Sequence, residues 1–208
     1  MKKRHAYLVM AHNDFESLRY LLRAIDDERN DIYLHIDKKT KNVPFQELAA
    51  CVKKSQLHIV PRIKVYWGHV SIVDCELRLL KAAISNEHYH YYHLISGNDF
   101  PLKSQDEIHR ILENDNSEHI DCFNENDAEN TFIYKVKYYF PFFRWTSKGV
   151  NTRFRWLNYF VAWLGNKEWK SMKLQKRLGI DRTKNMEMIS SIRAINGFLS
   201  PTLLPDIL

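Results

Sequence analysis

Short apolar runs alternate with amphipathic stretches along the first half of the chain. Tyr7-Leu8-Val9-Met10-Ala11 is a compact apolar run that stops at polar His12-Asn13-Asp14, the pattern of a buried strand entering a loop. Leu18, Leu21, Leu22 and Ile25 then recur at helical spacing, with Asp14 placed to cap the helix and Asp26-Asp27 closing it. The same logic predicts a second strand over 32–36 ending at Asp37, a helix over 44–54 and a third strand over 57–60. Val73, Leu77, Leu80 and Ala83 define the apolar stripe of another helix. A fourth strand over 91–97, a helix over 104–112 and a strand near 120–123 complete the series. Strands and helices in repeated βα order imply an α/β fold: a mainly parallel, Rossmann-type sheet with helices on both faces.

Ligands of such sheets bind at the carboxyl ends of the strands, and the polar residues of this chain collect there. His12-Asn13-Asp14, Asp37-Lys38-Lys39, Arg62 with Trp67-Gly68, and Ser96-Gly97-Asn98-Asp99 each follow a predicted strand. Any one of them is ordinary loop polarity; four converging on one edge favour a nucleotide or nucleotide-sugar site. The candidate binding residues are therefore His12, Asp37, Lys39, Arg62, Trp67 and Asp99. Asp37 is suited to accept from a base or ribose hydroxyl, Lys39 and Arg62 to neutralise phosphate, and Trp67 to offer an apolar face to a ring. No G-x-G-x-x-G or P-loop lysine motif occurs, which disfavours dinucleotide or ATP binding and, with the missing kinase motifs, a phosphotransferase.

Composition adds an asymmetry. The 208 residues are 45% hydrophobic and 27% charged, with six Gly and six Pro, so the chain is ordered and globular and has the length to bury its own core. Its net charge of +6 is local: residues 132–177 hold eleven Lys or Arg and one acid, Glu168, which leaves the remainder net acidic. Cys51, Cys75 and Cys122 are odd in number and form no C-x-x-C, so neither a disulfide framework nor a zinc knuckle is indicated, and a reducing cytosol is the expected compartment. The apolar run behind Met1-Lys2-Lys3-Arg4 is too short for a signal peptide, and no stretch reaches the length of a membrane span.

Between 132 and 173, aromatic residues interleave with Lys and Arg, and Phe154, Leu157, Phe160, Val161 and Leu164 keep helical spacing. One reading is a helical insertion packed on the main domain. Another is a helix that lies on an anionic membrane, with the protein peripheral to its inner face. Single-stranded nucleic acid is disfavoured, because no nucleic-acid-binding motif accompanies the pattern.

The ordered motifs also resemble a known family. His5-Ala6-Tyr7-Leu8-Val9-Met10-Ala11-His12, His35-Ile36-Asp37-Lys38-Lys39, Val65-Tyr66-Trp67-Gly68 and Leu94-Ile95-Ser96-Gly97-Asn98-Asp99-Phe100-Pro101-Leu102-Lys103-Ser104 resemble the core-2/I-branching β-1,6-N-acetylglucosaminyltransferase family. Bacterial members are also labelled peptide O-xylosyltransferases. Leu174-Gln175-Lys176-Arg177-Leu178-Gly179-Ile180 continues the likeness, which covers roughly residues 4–187. It implies a GT-A-like glycosyltransferase that transfers GlcNAc or xylose from UDP-GlcNAc or UDP-xylose to a glycan or protein hydroxyl, with inversion and without a D-x-D metal site. Asp37 and Lys39 match the family's residues near the uridine. Trp67 matches the tryptophan of its W-G-G, and His69 departs from the second glycine.

No D-x-D occurs in the sequence, and no cofactor is expected beyond the donor itself. Glu125-Asn126-Asp127 with Glu129 reads as a solvated acidic loop rather than a cation site, since hard cations need converging oxygens. His88, His90 and His93 read as a polar approach to a strand, because structural zinc wants four ligands.

The family's domain continues through a Gly-Ser-x-Trp motif and a Pro-Asp-Glu whose glutamate is the general base. Here Pro205-Asp206-Ile207 places isoleucine at that position, and isoleucine accepts no proton. The expectation is a form truncated at its carboxyl-terminal part, with weak turnover or none and its catalytic residue unassigned. Residues 193–201 are encodable by codons whose shifted frame reads Ser-Asn-Gln-Trp-Phe-Ser-Leu-Thr-His, so a frame slip is a sharper form of that expectation. The organisation is thus a nucleotide-sugar-binding α/β region over 1–131, an aromatic and basic helical insertion over 132–180, and a truncated or frame-shifted tail over 181–208. The alternative function is a non-catalytic peripheral membrane or scaffold protein derived from a glycosyltransferase.

Overall fold

The computed structural model describes residues 3–115, 117, 119–122, 137–146, 154–181 and 192–199. Its elements are, in chain order, β1 (His5–Ala11), α1 (Phe15–Ala24), β2 (Asn30–Ile36), α2 (Phe45–Ala50), β3 (Gln56–Ile59), α3 (Ser71–Asn86), β4 (Tyr91–Ser96), α4 (Gln105–Leu112), β5 (His119–Cys122), α5 (Phe143–Thr146), α6 (Arg155–Arg177) and β6 (Ile192–Leu199). The chain divides into two compact units. One comprises Met1–Val65, Val70–Ile120 and Ala194–Leu208; the other comprises Tyr66–His69 and Asp121–Arg193.

In the first unit, β3, β2, β1 and β4 lie side by side and run parallel, as the βα alternation requires. Side chains of a strand alternate between faces, and β1 shows the consequence. Ala6 and Leu8 pack with Cys75, Leu79, Leu80 and Ala83 of α3 on one side. Tyr7, Val9 and Ala11 pack with Leu18, Leu21 and Leu22 of α1 and Leu48 of α2 on the other. Each fully buried Leu or Ile of these layers contributes about 1.5–3 kcal/mol. Helices therefore cover both faces, as expected from the sequence.

Local chemistry sets the helix boundaries. Asp14 caps α1, its carboxylate accepting from the Ser17 amide at 3.1 Å and the Ser17 hydroxyl at 2.7 Å, while Ser104 caps α4 by accepting from the Glu107 amide. α3 turns differently from its predicted stripe: Val73 is exposed, and the buried line is Cys75, Leu79, Leu80 and Ala83. Cys75 and Leu79 join Leu80 and Ala83 in the core cluster in place of Val73 and Leu77. The sequence pattern predicts no strand where β6 lies. β6 pairs antiparallel with β4, Phe198 opposite His93 and Leu199 opposite Tyr92, and β5 follows it in the sheet.

The amino edge of the sheet is closed by polar side chains. Arg4 pairs with buried Asp31 at 2.6 Å and with Glu87 at 2.5 Å, and the Tyr89 hydroxyl donates to Asp31. Beside them, the His5 and His93 rings meet at 3.0 Å and His109 stacks on His5. His109 in turn meets the Asn30 side-chain oxygen at 2.8 Å, and the Tyr7 hydroxyl donates to Gln105 of α4 at 2.9 Å. Burial pushes the imidazole pKa values down, to about 2 for His5, about 3 for His93 and about 4 for His109. His93 thus belongs to this buried cluster, and His88 lies before the strand rather than on it.

In the second unit, α6 packs through Leu164, Glu168 and Gln175. Gln175 donates to the Tyr139 carbonyl and accepts from the Tyr139 amide; Glu168 accepts from the Phe142 amide at 2.9 Å. The helix expected from the spacing forms, but Phe154 and Phe160 are exposed rather than packed. Polar Glu168 and Gln175 occupy packed positions because they satisfy backbone groups of 139–142.

Candidate functional site

Parallel register brings the ends of β1, β2, β3 and β4 to one edge of the first unit, and the segments leaving them are tied together. The Asp37 amide donates to the Ala11 carbonyl at 2.9 Å, and the Thr40 hydroxyl donates to the His12 carbonyl. The Gly97 amide donates to the Met10 carbonyl at 2.8 Å. A Cβ on Gly97 would lie 2.8 Å from the Ala11 Cβ, so only glycine lets the end of β4 approach β1 this closely.

Asp37 is the hub of this edge. One carboxylate oxygen accepts from the Lys39 amide at 2.8 Å and from the Val65 amide at 3.5 Å. The other lies 3.1 Å from the Lys39 ammonium, which also donates to the Val65 carbonyl. The carboxylate is buried in this frame, yet an ionised carboxylate has about four acceptor directions, and three are used here.

The Arg62 guanidinium is engaged with backbone carbonyls. It donates to the Ile36 carbonyl at 2.9 Å and to the Asp37 and Thr40 carbonyls at 2.6 Å each, and it lies over the Phe45 ring. The fork thereby satisfies the unpaired carbonyls where β2 ends. Asp99 likewise organises its own turn, accepting from the Ser96 amide at 2.8 Å while its amide donates to the Ser96 carbonyl. His12 is exposed at the start of the β1–α1 loop.

The structure therefore gathers His12, Asp37, Lys39 and Arg62 into one hydrogen-bonded edge, with Asp99 on the neighbouring strand end. Trp67 belongs to the second unit. It is 85% exposed in a turn closed by the His69 amide donating to the Tyr66 carbonyl, where Gly68 has φ +65°. Residues 123–136 and 200–208 lie outside the described ones, and with them Glu125, Asp127, Glu129 and Pro205-Asp206-Ile207.

His35 was not singled out from the sequence, although an imidazole in an otherwise apolar strand is a visible signal. Its Nε2 accepts from the Ile63 amide at 3.0 Å, so that nitrogen carries no proton and the ring is neutral. Burial holds its pKa below the usual histidine value. His35 thus anchors the segment carrying Arg62 and Val65 onto the end of β2. On α3, burial also raises the Glu76 carboxyl to about 7.

Comparison with known proteins identifies the family of the chain. The family model described as "Branch: Core-2/I-Branching enzyme" matches residues 5–171. The chain belongs to the core-2/I-branching enzyme family. Among its curated relatives is a human N-acetyllactosaminide beta-1,6-N-acetylglucosaminyl-transferase, 31% identical over 111 residues, which are 51% of this chain and 27% of that protein. Mouse xylosyltransferase 2 is 24% identical over 113 residues, 52% of this chain and 13% of that protein. The chain therefore matches well under two thirds of either relative's length. Within this core-2/I-branching chain, the segments around Asp37, Trp67 and Asp99 all fall inside the family match.

Proposed function

We propose that this chain binds a UDP-sugar at the carboxyl edge of its parallel sheet and acts in an inverting transfer of GlcNAc or xylose to a glycan or protein hydroxyl, on a GT-A-like fold. The Asp37–Lys39–Val65 frame carries the reading. It holds a carboxylate with one acceptor direction to spare beside an ammonium, the pair of groups that a uridine diphosphate needs for its N–H or O–H donors and its negative charge. Family membership and the printed names of the two relatives, an acetylglucosaminyl-transferase and a xylosyltransferase, support the sugar classes.

In such a transfer the acceptor oxygen forms a bond to the anomeric carbon as the bond from that carbon to the UDP oxygen breaks. The acceptor proton passes to a general base, and the electron pair leaves with UDP. Preorganised positive charge at the diphosphate lowers the barrier because the leaving group's charge grows in the transition state. Lys39 is the residue assigned to that charge, while Arg62 and His35 hold its frame in place.

Titration calorimetry with UDP on the full chain tests the reading. UDP is expected to bind, with affinity falling when Asp37 is changed to Asn. Failure to bind any uridine nucleotide would sink the assignment of this edge.

A further inference from the structure

Helix α6 has a second face that packs against none of the described residues with which Leu164, Glu168 and Gln175 engage. Trp156, Tyr159, Phe160 and Trp163 follow one another at helical spacing and are 69%, 69%, 50% and 53% exposed. The stripe runs on into Lys167 and Lys170, four and seven residues beyond Trp163, and the Lys167 ammonium lies 5.1 Å over the Trp163 ring. A groove of about 450 Å³ is bordered by Trp163, Asn166, Lys167, Trp169, Lys170 and Lys173.

The charge on this helix is one-sided. Arg155, Lys167, Lys170, Lys173, Lys176 and Arg177 are exposed, whereas its single acid, Glu168, is buried on the packed face. Glu168 is held on that packed face by accepting from the Phe142 amide at 2.9 Å, away from the lysines. An exposed row of large aromatic rings marks an interaction surface in a water-soluble domain. A second copy of the chain is a poorer occupant than an anionic surface, because pairing two copies brings two net-positive faces together. Single-stranded nucleic acid fits less well too, since the main ring stripe from Trp156 to Trp163 has no Lys or Arg within it, and only Trp169 stands between lysines.

We propose that this face of α6 docks on an anionic phospholipid bilayer. Trp156, Tyr159, Phe160 and Trp163 enter the boundary between headgroups and acyl chains, and Lys167, Lys170 and Lys173 meet the lipid phosphates. The helix lies in the plane of the surface, as its hydropathy demands: among the described residues no helix is long and apolar enough to cross a membrane. This inference is independent of the donor site, which sits in the other unit.

Vesicle flotation of the full chain tests it, with phosphatidylcholine vesicles against an equimolar mixture of phosphatidylglycerol and phosphatidylcholine at low salt. The chain is expected to float only with the mixed vesicles, and brominated acyl chains are expected to quench its tryptophan emission. K167E/K170E should lower vesicle affinity at least roughly fivefold per lysine, and W156A/W163A should abolish the quenching. K53E/K54E, which removes the same positive charge from an exposed site in the first unit, should leave flotation intact. Equal flotation with both vesicle types, an unchanged K167E/K170E protein, or a dimer in light scattering that W156A/W163A dissociates in place of vesicle binding would overturn the proposal.

Discussion

The Lys39 ammonium lies 3.1 Å from the Asp37 carboxylate, although the two residues are separated by one position in the loop leaving β2. Lys39 is half exposed, so the pair itself contributes little to stability, within about 1 kcal/mol. Its value lies in holding a cation at the strand end. Lys39→Ala is therefore expected to leave the urea midpoint nearly unchanged and to weaken UDP binding on the order of tenfold. Equal losses of stability and binding would assign Lys39 to the scaffold instead.

Asp37→Ala should behave differently. It strips the acceptor from the part-buried Lys39 and Val65 amides as well as the partner of the ammonium, at a cost of about 1 kcal/mol or more. Chemical unfolding should show that loss, and Asp37→Asn should recover much of it while still binding UDP poorly.

Arg62→Lys keeps the charge but loses the planar fork that serves three carbonyls. A fall in stability of about 1–3 kcal/mol is expected in urea unfolding, with UDP affinity declining alongside. A variant of wild-type stability that has lost UDP binding would return Arg62 to direct phosphate contact.

Gly97→Ala would push a methyl group to within 2.8 Å of Ala11. Overpacking of this kind costs about 1–3 kcal/mol, and the loss should appear as a lowered thermal midpoint. An unchanged midpoint would mean that β1 and β4 separate easily at this edge.

The buried imidazoles predict acid sensitivity. His5, His93 and His109 titrate in the folded protein near 2, 3 and 4, below the ordinary histidine value of 6.5, so the unfolded chain binds more protons between those limits. The imidazoles' contribution is complete above 6.5 and falls as pH drops, by up to about 1.4 kcal/mol per pH unit for each. Glu76 opposes this: its carboxyl is raised to about 7 from 4.5, so its contribution is lost as pH rises across that window. Three imidazoles outweigh one carboxyl, and urea midpoints should rise between about pH 4.5 and 6.5. His93→Gln should flatten the profile; a wild-type profile already flat would refute the buried, neutral state.

The sequence by itself determined the βα alternation, the helix cap at Asp14, the two-sided burial of the strands and the edge where polar residues collect. Those features follow from spacing and from side chains acting on neighbouring backbone, which are local properties of the chain. Motif resemblance added the family. Only the tertiary structure decided what the polar residues do there. The sequence offers Arg62 as a phosphate ligand but does not show the three carbonyls, of Ile36, Asp37 and Thr40, that its guanidinium meets, and His35 looks incidental until the Ile63 amide reaches its ring. Likewise Phe154 and Phe160 have the spacing of a packed stripe, but backbone groups at 139–142 draw Glu168 and Gln175 inward and leave the aromatic face outside. Periodicity shows which residues share a face. Which face is buried depends on unpaired backbone donors and acceptors brought in from distant positions, and those the tertiary fold supplies.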